Sequence, residues 1–137
     1  VHNTFTTCED VRFALKHFSK LYWCVCPKAN LYIENTAPPL RLLLDAGAKV
    51  LIGTDSLSSN DRLSILDELK LLSHQNTEMT FSELLNLATI VPAQFFGWED
   101  VLGSFEKGKA PGVLQLSDNS AGLFNKATTL KVVKRHF

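Results

Sequence analysis

Apolar positions fall into two patterns along this chain, short dense runs and stripes spaced three or four residues apart, and the two periods predict a mixed α/β protein. Leu21-Tyr22-Trp23-Cys24-Val25-Cys26 and Val50-Leu51-Ile52 are the dense runs and read as buried strands. Between them Pro38-Pro39 precedes Leu40, Leu43 and Leu44. Asp45-Ala46-Gly47 then supplies a helix stop, with Gly47 in the left-handed position. Strand, helix and strand at this spacing form a βαβ unit, which implies parallel strands and a right-handed crossover. Upstream, Val11, Ala14, Leu15 and Phe18 make a buried helical stripe opened by Thr7, with Asp10 at the capping-box position. His17 lies off that stripe and reads as a surface residue. A further helix is expected over about residues 61–73 on Leu63, Leu66, Leu69 and Leu72, with Ile65 widening the face. Asp67, Glu68 and Lys70 are placed on its solvent side and His74 at its end. Thr80-Phe81-Ser82-Glu83 is a capping box, with Met79 able to staple onto Leu84. Leu84, Leu87, Ala88 and Val91 continue that helix until Pro92 breaks or kinks it. Residues 93–96 resume a short helix that ends at Gly97.

The two ends of the chain have a different texture. Val1-His2-Asn3-Thr4 reads as the tail of a strand, and Pro27 closes the next strand into a polar, loop-like stretch over 28–36. Beyond Trp98, glycines punctuate short segments, Glu106-Lys107-Gly108 reads as a turn, and Val113-Leu114-Gln115-Leu116 alternates like a strand. Leu130-Lys131-Val132-Val133 reads as a final strand, with a loop over 118–126 before it. No internal repeat, coiled coil or low-complexity tract interrupts this plan.

Candidate chemistry gathers in Val50-Leu51-Ile52-Gly53-Thr54-Asp55-Ser56-Leu57-Ser58-Ser59-Asn60-Asp61. A strand ends at Gly53 and delivers the carboxylate of Asp55 into a polar loop ahead of a helix. Function in α/β folds sits outside the carboxyl ends of the strands. Asp55 is equally an ordinary turn or cap residue, and Asn30 is as able to tie down its own turn as to touch a ligand. His2 and Asp55, at the ends of parallel strands, could converge on one rim. An imidazole and a carboxylate there suit metal-assisted hydrolysis.

Gly53-Thr54-Asp55-Ser56 with Ser59-Asn60 resembles the last barrel strand of the amidohydrolase superfamily, in its deaminase and chlorohydrolase-like branch. Cys26-Pro27-Lys28-Ala29-Asn30-Leu31 is similar to the Cys-Pro-x-Ser-Asn-Leu signature at the strand before, with Ala29 where serine is usual. Val1-His2-Asn3-Thr4 resembles the histidine-bearing strand before that. Leu102-Gly103-Ser104-Phe105-Glu106-Lys107-Gly108-Lys109-Ala110 resembles the return into a small β domain. The resemblance implies the C-terminal part of a TIM (β/α)8 barrel, strands 6–8 with their helices over residues 1–98, followed by a small β segment over 99–137. It implies a catalytic pair, His2 and Asp55, with Asp55 also a metal ligand. Ser59, Asn60 and Asn30 are implied as substrate-side residues, and Zn²⁺ or Fe²⁺ as the metal of the intact enzyme. The superfamily's His-x-His pair, its fifth-strand histidine and the neighbouring glutamate have no counterpart here. A zinc site takes three protein ligands plus water, so this chain alone is expected to hold no metal stably and to be inactive. A full barrel needs about 250 residues against 137 here, which reads as a fragment. The expected partners are a small-molecule substrate and either the missing N-terminal half of the barrel or a second copy paired through exposed sheet edges. The implied reaction is hydrolytic deamination of an amino-heterocycle of nucleobase or nucleoside type. The alternatives are hydrolytic dechlorination or amide hydrolysis in the same superfamily, or a non-catalytic α/β binding module.

Composition narrows the partners further. Fourteen basic and fourteen acidic residues cancel, so no net field favours nucleic acid or an anionic membrane surface. No apolar run approaches the roughly 20 residues that span a bilayer. Cys8, Cys24 and Cys26 form no Cys-x-x-Cys unit, and alternation puts Cys24 and Cys26 on one strand face. Buried reduced thiols suit a reducing, cytoplasmic compartment.

Overall fold

Thr7 opens the first helix, α1 (Cys8–His17), through the full reciprocal cap: its hydroxyl accepts from the Asp10 N–H, and the Asp10 carboxylate accepts from the Thr7 N–H. Only Val11 of the expected stripe is fully buried, while Leu15 and Phe18 are exposed. The stripe has the right period, but little of its face is covered. His17 lies on the surface as expected.

Strand β1 (Tyr22–Val25) pairs in parallel with β2 (Lys49–Ile52), from Tyr22 beside Lys49 to Val25 beside Ile52. The Gly53 N–H extends the ladder to the Val25 carbonyl at 2.9 Å. Between the strands lie α2 (Pro27–Glu34) and α3 (Leu40–Asp45). The stretch over 28–36 is therefore mostly helix, which corrects the loop expected there. Pro27 sits at the first helical position, where its missing N–H costs nothing. Its role is to start a helix, with Asn35 in the left-handed conformation closing it. The α3 stop at Gly47 is as read, with φ +86°.

The structure is a computed structural model, and it describes residues 1–118 and 130–136. They fall into two units, Val1–Glu68 and Leu69–Phe137. The first has its core in Val11, Trp23, Val25, Leu40, Leu43, Val50 and Ile52, contributed by both strands, α1 and α3. A third strand at the amino terminus is not formed. His2 and Asn3 have φ of +69° and +59°, outside the extended region, and the Asn3 N–H folds back to the Val1 carbonyl at 3.0 Å.

Helix α4 (Ile65–Gln75) starts later than the apolar pattern suggested, leaving Leu63 exposed. The second unit contains Leu69, Leu72, Met79, Leu84, Leu87 and Ala93 as its buried apolar residues. The Thr80–Glu83 capping box is present and opens α5 (Phe81–Asn86). The break before α6 (Ile90–Phe96) comes ahead of Pro92, not at it. Pro92 lies in the first turn of α6, where no intrahelical acceptor awaits its absent N–H. A turn follows at 106–109, closed by the Lys109 N–H on the Glu106 carbonyl at 3.1 Å. Strand β3 (Val113–Asp118) pairs antiparallel with β4 (Leu130–His136), with an irregularity between Gln115 and Leu116. The loop expected over 118–126 lies outside the described residues, except that Asp118 ends β3. Among the described residues no helix is long and apolar enough to cross a membrane.

Candidate active site

The carboxyl ends of β1 and β2 carry the site. Past Ile52 the chain turns at Gly53, and Asp55 adopts φ +57°, a left-handed conformation that aspartate tolerates better than most residues. Its Oδ2 lies 4.0 Å from His2 Nε2, and both side chains are about one-third exposed. The two residues expected to converge from distant parts of the sequence do so. Ser59 Oγ donates to the same Asp55 oxygen at 2.5 Å.

Irregular backbone around this pair is held by asparagine amides. Asn3 Nδ2 donates to the Cys24 carbonyl at 3.1 Å. Asn30, buried at the start of α2, donates to Thr4 Oγ1 and, at 3.4 Å, to the His2 carbonyl. Asn60 Nδ2 donates to the Thr54 carbonyl at 2.8 Å and to Glu68 Oε1 at 2.7 Å. Asn30 thus fixes the segment that bears His2, and Asn60 the segment that bears Asp55.

Glu68 was expected on the solvent side of its helix and is instead fully buried. Its Oε2 accepts from the Lys28 N–H at 2.9 Å, in the first turn of α2. Burial raises its carboxyl above the ordinary glutamate range, against the opposing pull of the Lys28 and Asn60 bonds. Helical periodicity misplaces it because α4 begins at Ile65, so Glu68 lies in the first turn, where the helix faces the loop. The nearest sequence signal was a glutamate one turn inside a helix that follows a polar loop.

A cleft of about 360 Å³ opens beside these residues, lined by Lys28, Tyr32, Leu57, Ser58, Ser59, Asn60 and Asp61. Lys28 and Asp61 form an ion pair across it. The Lys28 bond and charge hold the Asp61 carboxyl below the usual aspartate range. Under Asp55, the thiols of Cys24 and Cys26 face Gly53, as alternation on the strand requires. A hydrogen bond from Cys26 draws Cys24 down to about 7, while that bond and burial push Cys26 up.

The whole length of this arrangement matches one family model, Amidohydrolase family, over residues 1–135. The chain belongs to the amidohydrolase family. One amidohydrolase relative is the 5-methylthioadenosine/S-adenosylhomocysteine deaminase of Teredinibacter turnerae, 33% identical over 90% of this chain and 29% of its own. The S-triazine hydrolase of Gordonia rubripertincta is 29% identical over 79% of this chain and 24% of its own. Among solved amidohydrolases, Helicobacter pylori aminofutalosine deaminase superposes with a TM-score of 0.72 at 27% identity, over 93% of this chain and 32% of that one. E. coli guanine deaminase has the same fold, with a TM-score of 0.76 at 20% identity, over 99% of this chain and 39% of that one. The chain therefore spans about a third of the length of these relatives, and its α/β fold is that of part of an amidohydrolase barrel.

Amidohydrolases are generally metal-dependent, and an adenosine deaminase from Xanthomonas campestris with a TM-score of 0.74 was solved with bound zinc. The residues present do not by themselves fit such an ion. Among the described residues no group of three His, Cys, Asp or Glu side chains converges, where zinc takes three protein ligands and an open position. His2 and Asp55 bring together one imidazole and one carboxylate, two potential ligands and not three.

Proposed function

We propose that this chain is the C-terminal part of a (β/α)8-barrel amidohydrolase that hydrolytically deaminates an amino-heterocycle of nucleobase or nucleoside type. The observation that carries the reading is the approach of His2 to Asp55 at 4.0 Å on the rim of a parallel pair. Deaminases among the sequence relatives support the substrate class. Water adds to the ring carbon that bears the amino group, the C–N bond breaks, and ammonia leaves. Asp55 is assigned the proton traffic: its carboxylate takes a proton from the attacking water and passes one to the departing nitrogen. His2 orients the water or the leaving group by hydrogen bonding. Ser59 holds Asp55 Oδ2, and Ser59 and Asn60 meet the substrate from the cleft wall. Asn30 acts through His2, whose carbonyl it holds.

A Zn²⁺ or Fe²⁺ ion in this site needs ligands beyond Asp55, contributed by other strands of the barrel on the same polypeptide or a second chain. In this reading the chain alone is inactive. The two-stranded sheet leaves one edge each of β1 and β2 for further pairing, and the rest of the barrel or a second copy takes it.

The test measures ammonia release by the intact, metal-loaded enzyme against a panel of amino-heterocycles, with triazines included and chloride release followed in parallel. Asp55→Asn, which keeps the left-handed backbone accessible, should abolish turnover while the protein stays folded. Undiminished turnover in that variant overturns the catalytic assignment. Chloride release without ammonia would replace deamination by the dechlorination reading.

A further inference from the structure

We propose that Glu68 is a positioning residue for Asp55: a buried carboxylate that uses the Asn60 amide to hold the Thr54 carbonyl, and thereby the backbone from which Asp55 projects. The inference rests on the catalytic reading of Asp55 given above. Its geometric basis is independent of that reading. Glu68 is fully buried in the first turn of α4, and each of its oxygens is committed to a different segment. Oε2 accepts from the Lys28 N–H at 2.9 Å, pinning the start of α2 on one side of the cleft. Oε1 accepts from Asn60 Nδ2 at 2.7 Å, and the same nitrogen donates to the Thr54 carbonyl at 2.8 Å. Both amide hydrogens of Asn60 are thereby used, one on each partner. The residue after Thr54 is Asp55, at φ +57°. A left-handed aspartate persists only where its surroundings determine it, and this bridge fixes the peptide on its amino-terminal side.

A carboxylate is needed here because both incoming groups are donors. Glutamine would offer one oxygen and one NH₂. With the oxygen on Lys28 N, its NH₂ would meet the NH₂ of Asn60. Asn60 could turn over to present Oδ1 only by withdrawing Nδ2 from the Thr54 carbonyl. Either the α2 pin or the Thr54 tether is lost. Aspartate keeps both acceptors on a shorter reach. Packing alone does not account for a buried acid, because an apolar side chain would fill the same first turn without the desolvation cost.

The experiment compares wild type, Glu68→Asp and Glu68→Gln in the intact metal-loaded enzyme, and follows hydrogen exchange of the Asn60 side-chain amide by NMR in the metal-free protein. Displacing a reacting group by about 1 Å costs on the order of 100-fold. Glu68→Gln is expected to lower kcat per folded molecule by about that factor, with Glu68→Asp between it and wild type. The Asn60 amide hydrogens should exchange slowly in wild type and faster in both variants, in the same order. Unchanged kcat per folded molecule, or unchanged Asn60 exchange, overturns the proposal. If Glu68→Gln does not fold, Glu68→Asp decides on both readouts. If the wild-type enzyme itself releases no ammonia, the deaminase reading fails, and the Asn60 exchange alone judges the bridge.

Discussion

Gly53 offers the sharpest physical test of how β2 hands the chain to Asp55. A Cβ at this position would lie 2.9 Å from Cys24 Sγ and 3.2 Å from Cys26 Sγ. Comfortable contacts between nonbonded heavy atoms begin near 3.5 Å, so Gly53→Ala intrudes on both sulfurs by several tenths of an ångström. The strand cannot simply back away, because the Gly53 N–H is bonded to the Val25 carbonyl at 2.9 Å. Overpacking of this kind costs about 1–3 kcal/mol, less the roughly 0.5–1 kcal/mol that alanine gains over glycine within a strand. The two together leave a net loss of up to about 2.5 kcal/mol. Removing the nearer sulfur should return much of it, so Gly53→Ala and Cys24→Ala should be non-additive by about 1 kcal/mol in a double-mutant cycle. The other route of relief is rotation of Cys24 away from Cys26. That breaks the hydrogen bond drawing the Cys24 thiol down to about 7. The pH profile of Cys24 alkylation then moves up toward the ordinary thiol value of about 8.5. Urea denaturation of the four proteins of the cycle, with the alkylation profile of Cys24, reads both routes. Strictly additive stabilities together with an unmoved thiol profile would refute the close packing of Gly53 on the cysteine pair.

Other perturbations have defined signs. Gly103 sits at φ +88° with Ala93 Cβ and the backbone of Ile90 and Thr89 within 3.1 Å of an added Cβ, whereas at Gly108, φ +98°, nothing lies within 4 Å. Gly103→Ala should therefore destabilise by more than Gly108→Ala, measured as the difference in thermal midpoint. Thr80→Ala removes the hydroxyl that caps α5 and should cost about 1 kcal/mol in urea denaturation. The pH dependence of stability has two arms of opposite sign. Glu68, raised by burial, favours the fold below the ordinary glutamate value and loses that contribution as pH rises through its folded value. Asp10, lowered first by its bond from Thr7, and Asp61, lowered first by its bond from Lys28, contribute above the ordinary aspartate value and lose it as pH falls through their folded values. Glu68→Gln should remove the first arm and Lys28→Met weaken the second, each visible in denaturation midpoints across pH 3–7 in about half-unit steps.

The βαβ unit was legible because dense apolar runs and a stripe between them have different periods, and both strands, their direction and the Thr7 and Thr80 caps follow from local chemistry. The approach of His2 to Asp55 was read from strand ends meeting at one rim; Asp55 does follow β2, but His2 reaches it from a left-handed turn rather than from a strand. What local pattern could not show was context. Pro27 reads equally as a strand terminator or as the first residue of a helix, and the fold uses the second property. The left-handed turn at His2 and Asn3 leaves no mark in an apolar pattern, since it depends on the side chains of Asn3 and Asn30 reaching distant carbonyls. Glu68 was assigned to solvent by helical spacing alone. Its burial follows from two donors, Lys28 N and Asn60 Nδ2, that converge only after the chain has folded.

Those long-range contacts share one logic. Asp55 and His2 both lie in positive-φ backbone, outside the ladder that satisfies the peptide groups of β1 and β2. Backbone of that kind needs other partners for its N–H and C=O groups. Asn30 supplies one to His2 and Asn60 one to Thr54, while Asn3 reaches the Cys24 carbonyl on the neighbouring strand. A short amide serves at Asn30 and Asn60 because its planar NH₂ can bridge separate acceptors, while at Asn3 it reaches a single carbonyl. Asn30 Nδ2 is shared among the His2 carbonyl, Thr4 Oγ1 and Glu34 Oε2, and Asn60 Nδ2 between the Thr54 carbonyl and Glu68 Oε1. Only Asn60 also lines the cleft. Substituting Asn30 should therefore act on the placement of His2, lowering kcat more than it raises KM. The Asn30→Ala, His2→Ala double variant should match His2→Ala alone to within a few-fold, because once the His2 imidazole is gone its placement no longer matters. If the Asn30→Ala loss instead multiplies with that of His2→Ala, Asn30 acts on substrate directly and the scaffold role assigned to it is wrong.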